Sequence, residues 1–414
     1  MMKYTSKGTH SFCFFQRLNR EDYSYLENDF IGCMNKGELK RNPIKDTKGK
    51  NPDMTIGWEY TNKIKKGIRW HLLSFDISPH MTICGVKVII TPKVLIDNDY
   101  ITAGTEDDIK TIEELFNKEA KKISPKILKF GLCSVSRADP CIYIDIGELN
   151  LPCTPRQMMK LTKRGDIPSG YKEREKYNKT SRRMKTDDDS FYLENGSVNI
   201  NYYWKYAKIN PKHPEYPNRD KYYNLLRLEV QPKYTKLYSI SKGIRDTSTY
   251  KISDDDFSQD EIREMLKYGI RSPSIPIDII LSDDISDNLI HSYFYKILRK
   301  GDYFTLDGAR LMVKRYNFRR DKEERLLYAL DAVNEYRGIA KAKSKLVGID
   351  LKEFKKSLKD LDTILINPVT IPRKWGIKYI PNFLKAYYQK VYDEQFLTRN
   401  EYVAHQYLTE YLSK

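Results

Sequence analysis

The stretch Ser190–Ile209, SFYLENGSVNINYYWKYAKI, constrains the fold of this chain more than any other segment. An Asn-Gly pair, Asn195-Gly196, stands between two arms rich in strand-forming residues, which predicts a β-hairpin. Phe191–Leu193 makes the short arm and Val198–Tyr206 the long one. Along the long arm Val198, Ile200, Tyr202 and Trp204 fall on one face, and Asn199, Asn201, Tyr203 and Lys205 on the other. The apolar set therefore faces a core, while Tyr203 and Lys205 stand together on the opposite side. A phenol beside an ammonium suits a tyrosine that attacks phosphate, because the cation favours the phenolate and neutralises a phosphate oxygen. The same triplet also describes ordinary half-buried strand surface, since Tyr is favoured in strands.

The flanking sequence gives the hairpin partners. Residues 1–65 read as irregular, with a polar, basic loop at Lys36–Met54. Ile68–Phe75 and Met81–Ile90 read as strands, and the second, MTICGVKVII, is apolar enough to be central in a sheet. The segment from Thr105 to Ile123 predicts an amphipathic helix with Thr105 as N-cap, acids in its first turn and lysines in its last. Leu132–Ile146 predicts a strand pair or one bent strand, and Met158–Lys163 a short helix. Gly165–Asp189 is a basic loop, and Pro211–Tyr223 a Pro-rich one. Leu225–Pro232 predicts a strand with Arg227 and Glu229 on one face and Leu226, Leu228 and Val230 on the other. Beyond residue 250 the periodicity becomes helical: Ser258–Tyr268, Asp287–Lys300, Leu306–Tyr316, Asp321–Glu335, Ile339–Lys345 and Leu351–Leu361. The short links between the last of these suit a helix-turn-helix or winged-helix arrangement, with Ile371–Trp375 starting a wing and Tyr379–Tyr392 closing it. The expected class is α+β, with a sheet-based unit over 1–250 and a mainly helical one over 251–414.

Charge narrows the partner. The chain carries 73 Lys and Arg against 56 Asp and Glu, a formal net charge of +17, and it holds 32 Tyr. Such an excess favours a polyanion, and Tyr beside Lys and Arg is the pairing that stacks bases in single-stranded nucleic-acid grooves. An AT-rich genome also enriches Lys, Asn, Ile and Tyr, so composition leaves both origins open. The six cysteines are scattered with no C-x-x-C pair, which argues against a zinc ribbon or a dense disulfide framework. No apolar run nears the roughly 20 residues of a membrane helix, and the N-terminus lacks a signal peptide's apolar region. A soluble cytoplasmic protein without a membrane partner is the expectation. P-loop, GxSxG and kinase signatures are missing, which argues against ATP hydrolysis and acyl transfer.

Asp139 and Glu229 interrupt apolar strand patterns, each with an arginine, Arg137 or Arg227, two positions earlier. A buried acid needs a partner, so the arginines can be salt-bridge mates. Alternatively the two acids hold a hard divalent cation, Mg²⁺ or Mn²⁺, through oxygen. The six histidines form no His-x-His or H-E-x-x-H pair, and an isolated one such as His71 reads as structural.

Taken in order, ITPKVL at 90–95, SVSRADPCIYIDI, SVNINYYWKYAKI and LLRLEVQPK resemble the rolling-circle replication initiators of the filamentous-phage type, a family of phage and plasmid replication proteins. That family carries an S-R-x-D strand, a Tyr-x-Lys strand and an R-x-E strand in this order. The match spans residues 68–240, with a weaker echo at INPVTIPRKWG. The resemblance implies an endonuclease that nicks and rejoins one origin strand. Tyr203 would be the nucleophile, with Lys205 beside it and Asp139 and Glu229 at a Mg²⁺ or Mn²⁺ site. Arg137, Arg227 and Lys233 would contact DNA, and a host helicase and polymerase would follow. Related plasmid initiators place the nucleophile on the first arm, which makes Tyr192 the rival. The family's acid on the strand before ITPKVL is replaced here by Lys87, so the site has one acid fewer or draws on another such as Asp145. A non-catalytic DNA- or RNA-binding protein is the alternative, with structural acids only.

Overall fold

A computed structural model describes residues 5–45, 55–63, 66–78, 81–178, 183–185, 189–209, 219–244 and 281–392. The expected helix at Ser258–Tyr268 lies outside these. Among the described residues twelve strands precede the C-terminal helices: β1 (Ser6–Leu18), β2 (Leu39–Lys45), β3 (Thr55–Asn62), β4 (Ile68–Ser78), β5 (Met81–Ile90), β6 (Val135–Asp145), β7 (Lys172–Glu173), β8 (Lys176–Asn178), β9 (Arg183–Lys185), β10 (Ser190–Glu194), β11 (Val198–Trp204) and β12 (Leu225–Pro232). All but β8 and β9, which pair with each other, form one antiparallel sheet in the order β2-β3-β4-β5-β1-β6-β12-β11-β10-β7.

The predicted hairpin is present. Asn195 closes it, its side-chain Oδ1 accepting from the backbone N–H of Ser197 at 2.8 Å and of Val198 at 2.7 Å. The long arm stops two residues earlier than expected, because Lys205–Lys208 turns into a short helix. β5 lies inside the sheet between β4 and β1, as its apolar sequence requires. The opening residues are not irregular: β1 is a central strand between β5 and β6, and Arg20–Asn35 is a helix (α1). Two register shifts against β6 break the two-residue period of β1, which hid it in the sequence.

Helices cover one face of the sheet. α1, the small helix Pro92–Asp97 (α2) and the predicted helix Ile109–Ile123 (α3) lie over β1, β4 and β5, with Phe12, Phe14, Trp70 and Val88 in that core. Thr105 is the N-cap, as expected, and forms a capping box with Asp108 on a single 3₁₀ turn that leads into α3. Over β6, β12, β11 and β10 lie Pro155–Thr162 (α4) and the C-terminal helices, Asp283–Leu298, Leu306–Arg315, Arg320–Glu335, Ile339–Lys345, Gly348–Thr363 and Phe383–Tyr392. Their apolar sides share one core with Ile142, Tyr202, Leu228 and Val230 of the sheet. Tyr202 stacks on Phe383 at 5.8 Å between ring centroids. The class is therefore α+β, with the C-terminal helices built onto the sheet. Within Ile371–Trp375, expected to start a wing, Arg373–Trp375 forms a 3₁₀ turn, and the small strand pair here joins Tyr303–Phe304 to Tyr379–Ile380. All six cysteines are free. Among the described residues no helix is long and apolar enough to cross a membrane.

Candidate active site

The opposite face, partly closed by the loop at Ile101–Ala103 and by Ile209, carries the polar positions of five neighbouring strands. Register sets them in rows: Tyr192, Asn201, Glu229 and Cys141 lie side by side across β10, β11, β12 and β6, and Ser190, Tyr203, Arg227 and Tyr143 form the next row. Asp139 sits one pleat further along β6 on the same face, because side chains alternate. A cavity of about 480 Å³ opens over them and is lined by Asp139, Glu229, Tyr192, Tyr203 and Lys205. Five residues distant in sequence thus meet at one place.

Each acid is held by the arginine two positions before it. Arg137 Nε donates to Asp139 Oδ1 at 2.8 Å and its Nη2 to Oδ2 at 2.5 Å, while Ser11 Oγ donates to the same Oδ2 at 2.5 Å. Arg227 donates to Glu229 Oε2, and Gln231 donates to Oε1. Asp139, Glu229 and Arg227 are only 1%, 3% and 1% exposed. Burial pushes the Glu229 carboxyl up from its ordinary range, and the Arg227 guanidinium limits the rise. Arg137 lines the cavity with its side chain 42% exposed, within reach of an incoming anion. Arg227 is enclosed, its guanidinium 5.5 Å from the ring centre of Tyr203 and 5.3 Å from that of Tyr143. Lys233 lies at the hairpin turn, its Nζ donating to the Asn195 carbonyl at 2.6 Å.

The two tyrosines differ in setting. Tyr192 Oη accepts from Asn199 Nδ2 at 3.0 Å and donates to Gln231 at 3.3 Å, so it sits in a chain that ends on Glu229. Burial raises its pKa. Tyr203 sits over Arg227, half-buried at the cavity wall. Lys205 faces the same cavity, although it belongs to the short helix after β11. It is buried, and its Nζ donates to the Tyr100 carbonyl at 3.0 Å. Burial first, and then the charge of Arg227, lowers its pKa to about 7.

Several residues here were invisible to sequence reasoning. His10 and Ser11 come from the bulged part of β1, and Arg69, Arg174 and Lys208 bring further positive charge to the rim. The bulge is covered by the loop before α3, where Thr9 and Gly104 exchange backbone hydrogen bonds of 2.7 and 3.0 Å. Gly8 makes this possible, since a Cβ there would stand 2.3 Å from the Gly104 carbonyl oxygen. Nδ1 of His10 is buried without a hydrogen-bond partner. Burial and the surrounding Arg227, Lys205, Arg137 and Arg69 hold its ring well below the usual histidine pKa. A clue was the break in alternation at Thr9–Phe12, which on an apolar strand marks a bulge.

In chemistry the donors suit a hard divalent cation: two carboxylates on one cavity wall with an unpartnered imidazole nitrogen nearby. In geometry the set is not closed. Among the described residues no three His, Cys, Asp or Glu side chains converge as a cation site, and each acid is engaged by its arginine. Asp145 supplies no further ligand to this cavity. It caps the turn after β6, accepting from the backbone N–H of Gly147 at 2.8 Å and Glu148 at 3.2 Å. His71 pairs with Glu59 at 2.9 Å, a structural role.

The arrangement is a cleft in which a phenol, a buried lysine of lowered pKa and two carboxylates share one wall, with arginines and Lys208 at the rim. No protein-family model and no curated protein matches the sequence. Among solved structures it is similar to a rolling-circle replication initiator protein from Geobacillus stearothermophilus, with a TM-score of 0.30 and 9% identity over 64% of this chain and 96% of that one. A likeness this weak decides nothing about this chain's function, which rests on its own residues.

Proposed function

We propose that this chain is a rolling-circle replication initiator that nicks one DNA strand at its origin and later rejoins it. The observation that carries this reading is the meeting of Tyr203, Lys205, Asp139 and Glu229 on one wall of a cavity rimmed by Arg69, Arg137, Arg174 and Lys208. Cations at the rim draw the phosphate backbone of a single strand into the cleft. Lys205 Nζ takes the Tyr203 proton, which a pKa near 7 allows, and the phenolate oxygen attacks phosphorus. The bond to the 3′-oxygen breaks, leaving a 5′-phosphotyrosyl link and a 3′-hydroxyl once that oxygen is protonated. Lys205, now charged, faces the phosphoryl oxygens and lowers the cost of their charge. Asp139 and Glu229 would hold Mg²⁺ or Mn²⁺, which when bound adds positive charge beside the scissile phosphate. Joining reverses these bonds, so no ATP is consumed. The 3′-hydroxyl is then available to a host helicase and polymerase in the cytoplasm, and the basic helical region beyond residue 250 binds the origin duplex.

Incubating the protein with a labelled single-stranded origin oligonucleotide and Mn²⁺, then mapping the modified peptide, tests the reading. An adduct on Tyr203 is expected. One on Tyr192 moves the nucleophile to the first arm, and no adduct on any tyrosine ends the proposal. The arginine pairing of both acids favours the second reading, a non-catalytic nucleic-acid-binding protein, which that last outcome would select.

A further inference from the structure

The helix Gly348–Thr363 turns two unlike faces to its surroundings. Phe354, Ser357, Leu358 and Leu361 are buried against the core. Three of its four acids are paired: Glu353 and Asp360 with Arg325 at 3.4 and 2.7 Å, and Asp362 with Arg299 at 2.5 Å. The fourth, Asp350, is exposed in the first turn, on the side turned away from the lysines. The opposite face carries Lys352, Lys355, Lys356 and Lys359, all exposed. Their spacing of three, four and seven residues puts them in one stripe, about 10 Å long at the helical rise. None of the four has an ion-pair partner among the described residues.

An ordinary solvated helix face mixes signs, because Glu–Lys pairs four apart stabilise it and like-charge pairs cost about 0.2–0.5 kcal/mol each. Here Lys352–Lys356 and Lys355–Lys359 are two such like-charge pairs on the face that holds no acid. A second, independent feature marks the start of the same helix. Val347 and Ile349, 75% and 79% exposed, are the most exposed of the large apolar side chains among the described residues. Ile349 is three and seven residues from Lys352 and Lys356, so it continues the stripe. The helix follows Ile339–Lys345 after a link of only Leu346 and Val347, a short connection of the kind that joins helix-turn-helix pairs, with Gly348 at a positive φ directly after it. In such pairs the N-terminal residues of the second helix meet base edges, where an apolar side chain can contact a thymine methyl.

We propose that the lysine stripe of Gly348–Thr363 is the surface by which this protein holds duplex DNA, with the helix lying in the major groove, N-terminus inward. The proposal deepens the duplex-binding part of the function above, and its surface lies in the helical layer, on the other side of the sheet from the Tyr203 cavity. Each lysine that neutralises a phosphate contributes about 0.9 to the slope of log affinity against log salt.

The test uses the full chain with Lys352, Lys355, Lys356 and Lys359 all replaced by Gln, a change confined to an exposed face, with thermal melting to confirm the fold. Affinity for a random-sequence duplex is titrated across salt concentrations for both proteins. The slope is expected to fall by about 3 to 4 in the variant, with affinity at low salt down at least tenfold. An unchanged slope overturns the assignment. A loss of binding to double-stranded RNA or anionic vesicles, with duplex DNA binding intact, overturns it in favour of that other partner. Covalent labelling of Tyr203 by single-stranded DNA is measured alongside. Its absence in the parent protein would sink the nicking reading while the salt slope still answered for the stripe.

Discussion

Tyr202 and Tyr203 are neighbours in sequence and opposites in the molecule. Tyr202 is fully buried on the helix-covered face, stacked on Phe383 and edge-on to Phe294. Tyr203 lines the cavity beneath the other face, over a buried guanidinium. The covered face is apolar and close-packed, so what matters there is volume. On the cavity face buried charges stand in pairs, so what matters there is which partner each charge keeps. One strand supplies both, because alternation sends consecutive side chains to opposite sides.

The sharpest way to break the contrast is to remove one oxygen. Tyr203→Phe should abolish the covalent DNA adduct completely and leave stability within about 0.5 kcal/mol, measured by adduct mapping and urea melts. Next is Glu229→Gln, which leaves Arg227 enclosed without its counter-charge and should cost about 3–5 kcal/mol. Replacing Arg227 and Glu229 together by Met should cost much less, and a double mutant as unstable as E229Q would refute the pairing account. On the covered face Tyr202→Ala should also cost about 3–5 kcal/mol through lost volume, and Tyr202→Phe far less.

A smaller, pH-dependent effect comes from Lys205. Its folded pKa of about 7 lies below the ordinary lysine value of about 10.4, so the unfolded chain holds more protons between these limits. The penalty is therefore full below pH 7, shrinks as pH rises and is gone above the ordinary value. Lys205→Met should stabilise the protein by about 1–3 kcal/mol at pH 6, with the gain fading by pH 10. The same substitution should slow adduct formation, and Lys205→Arg, which cannot lose its proton, should remove any rise in rate across pH 7. The smallest change is Tyr192→Phe, expected to cost about 0.5–1 kcal/mol for its hydrogen bonds while the adduct on Tyr203 persists.

The shared core also bears on how function can be dissected. Phe294 and Phe383 touch Tyr202, so cutting the chain near residue 250 would uncover the back of the very strand that presents Tyr203. Surface substitutions such as the lysine-to-glutamine set keep that support in place.

The sequence by itself determined the local pieces. The Asn-Gly turn, the alternation of Val198–Trp204, the arginines two residues before Asp139 and Glu229, the helix capped at Thr105 and the C-terminal helices all depend on spacing within a few residues, and spacing is written in the chain. Tertiary structure decided the rest. Residues 6–18 look irregular alone because bulges break their period, yet they form a central strand that brings His10 and Ser11 to the cavity. Lys205 reads as a strand lysine beside Tyr203, but the chain turns into a helix there and buries it, and burial with the charge of Arg227 lowers its pKa to about 7. That Tyr192, Tyr203, Asp139 and Glu229 share one wall follows from strand order and register. Both are set by how hydrophobic faces far apart in sequence find each other, and local residue patterns do not encode them.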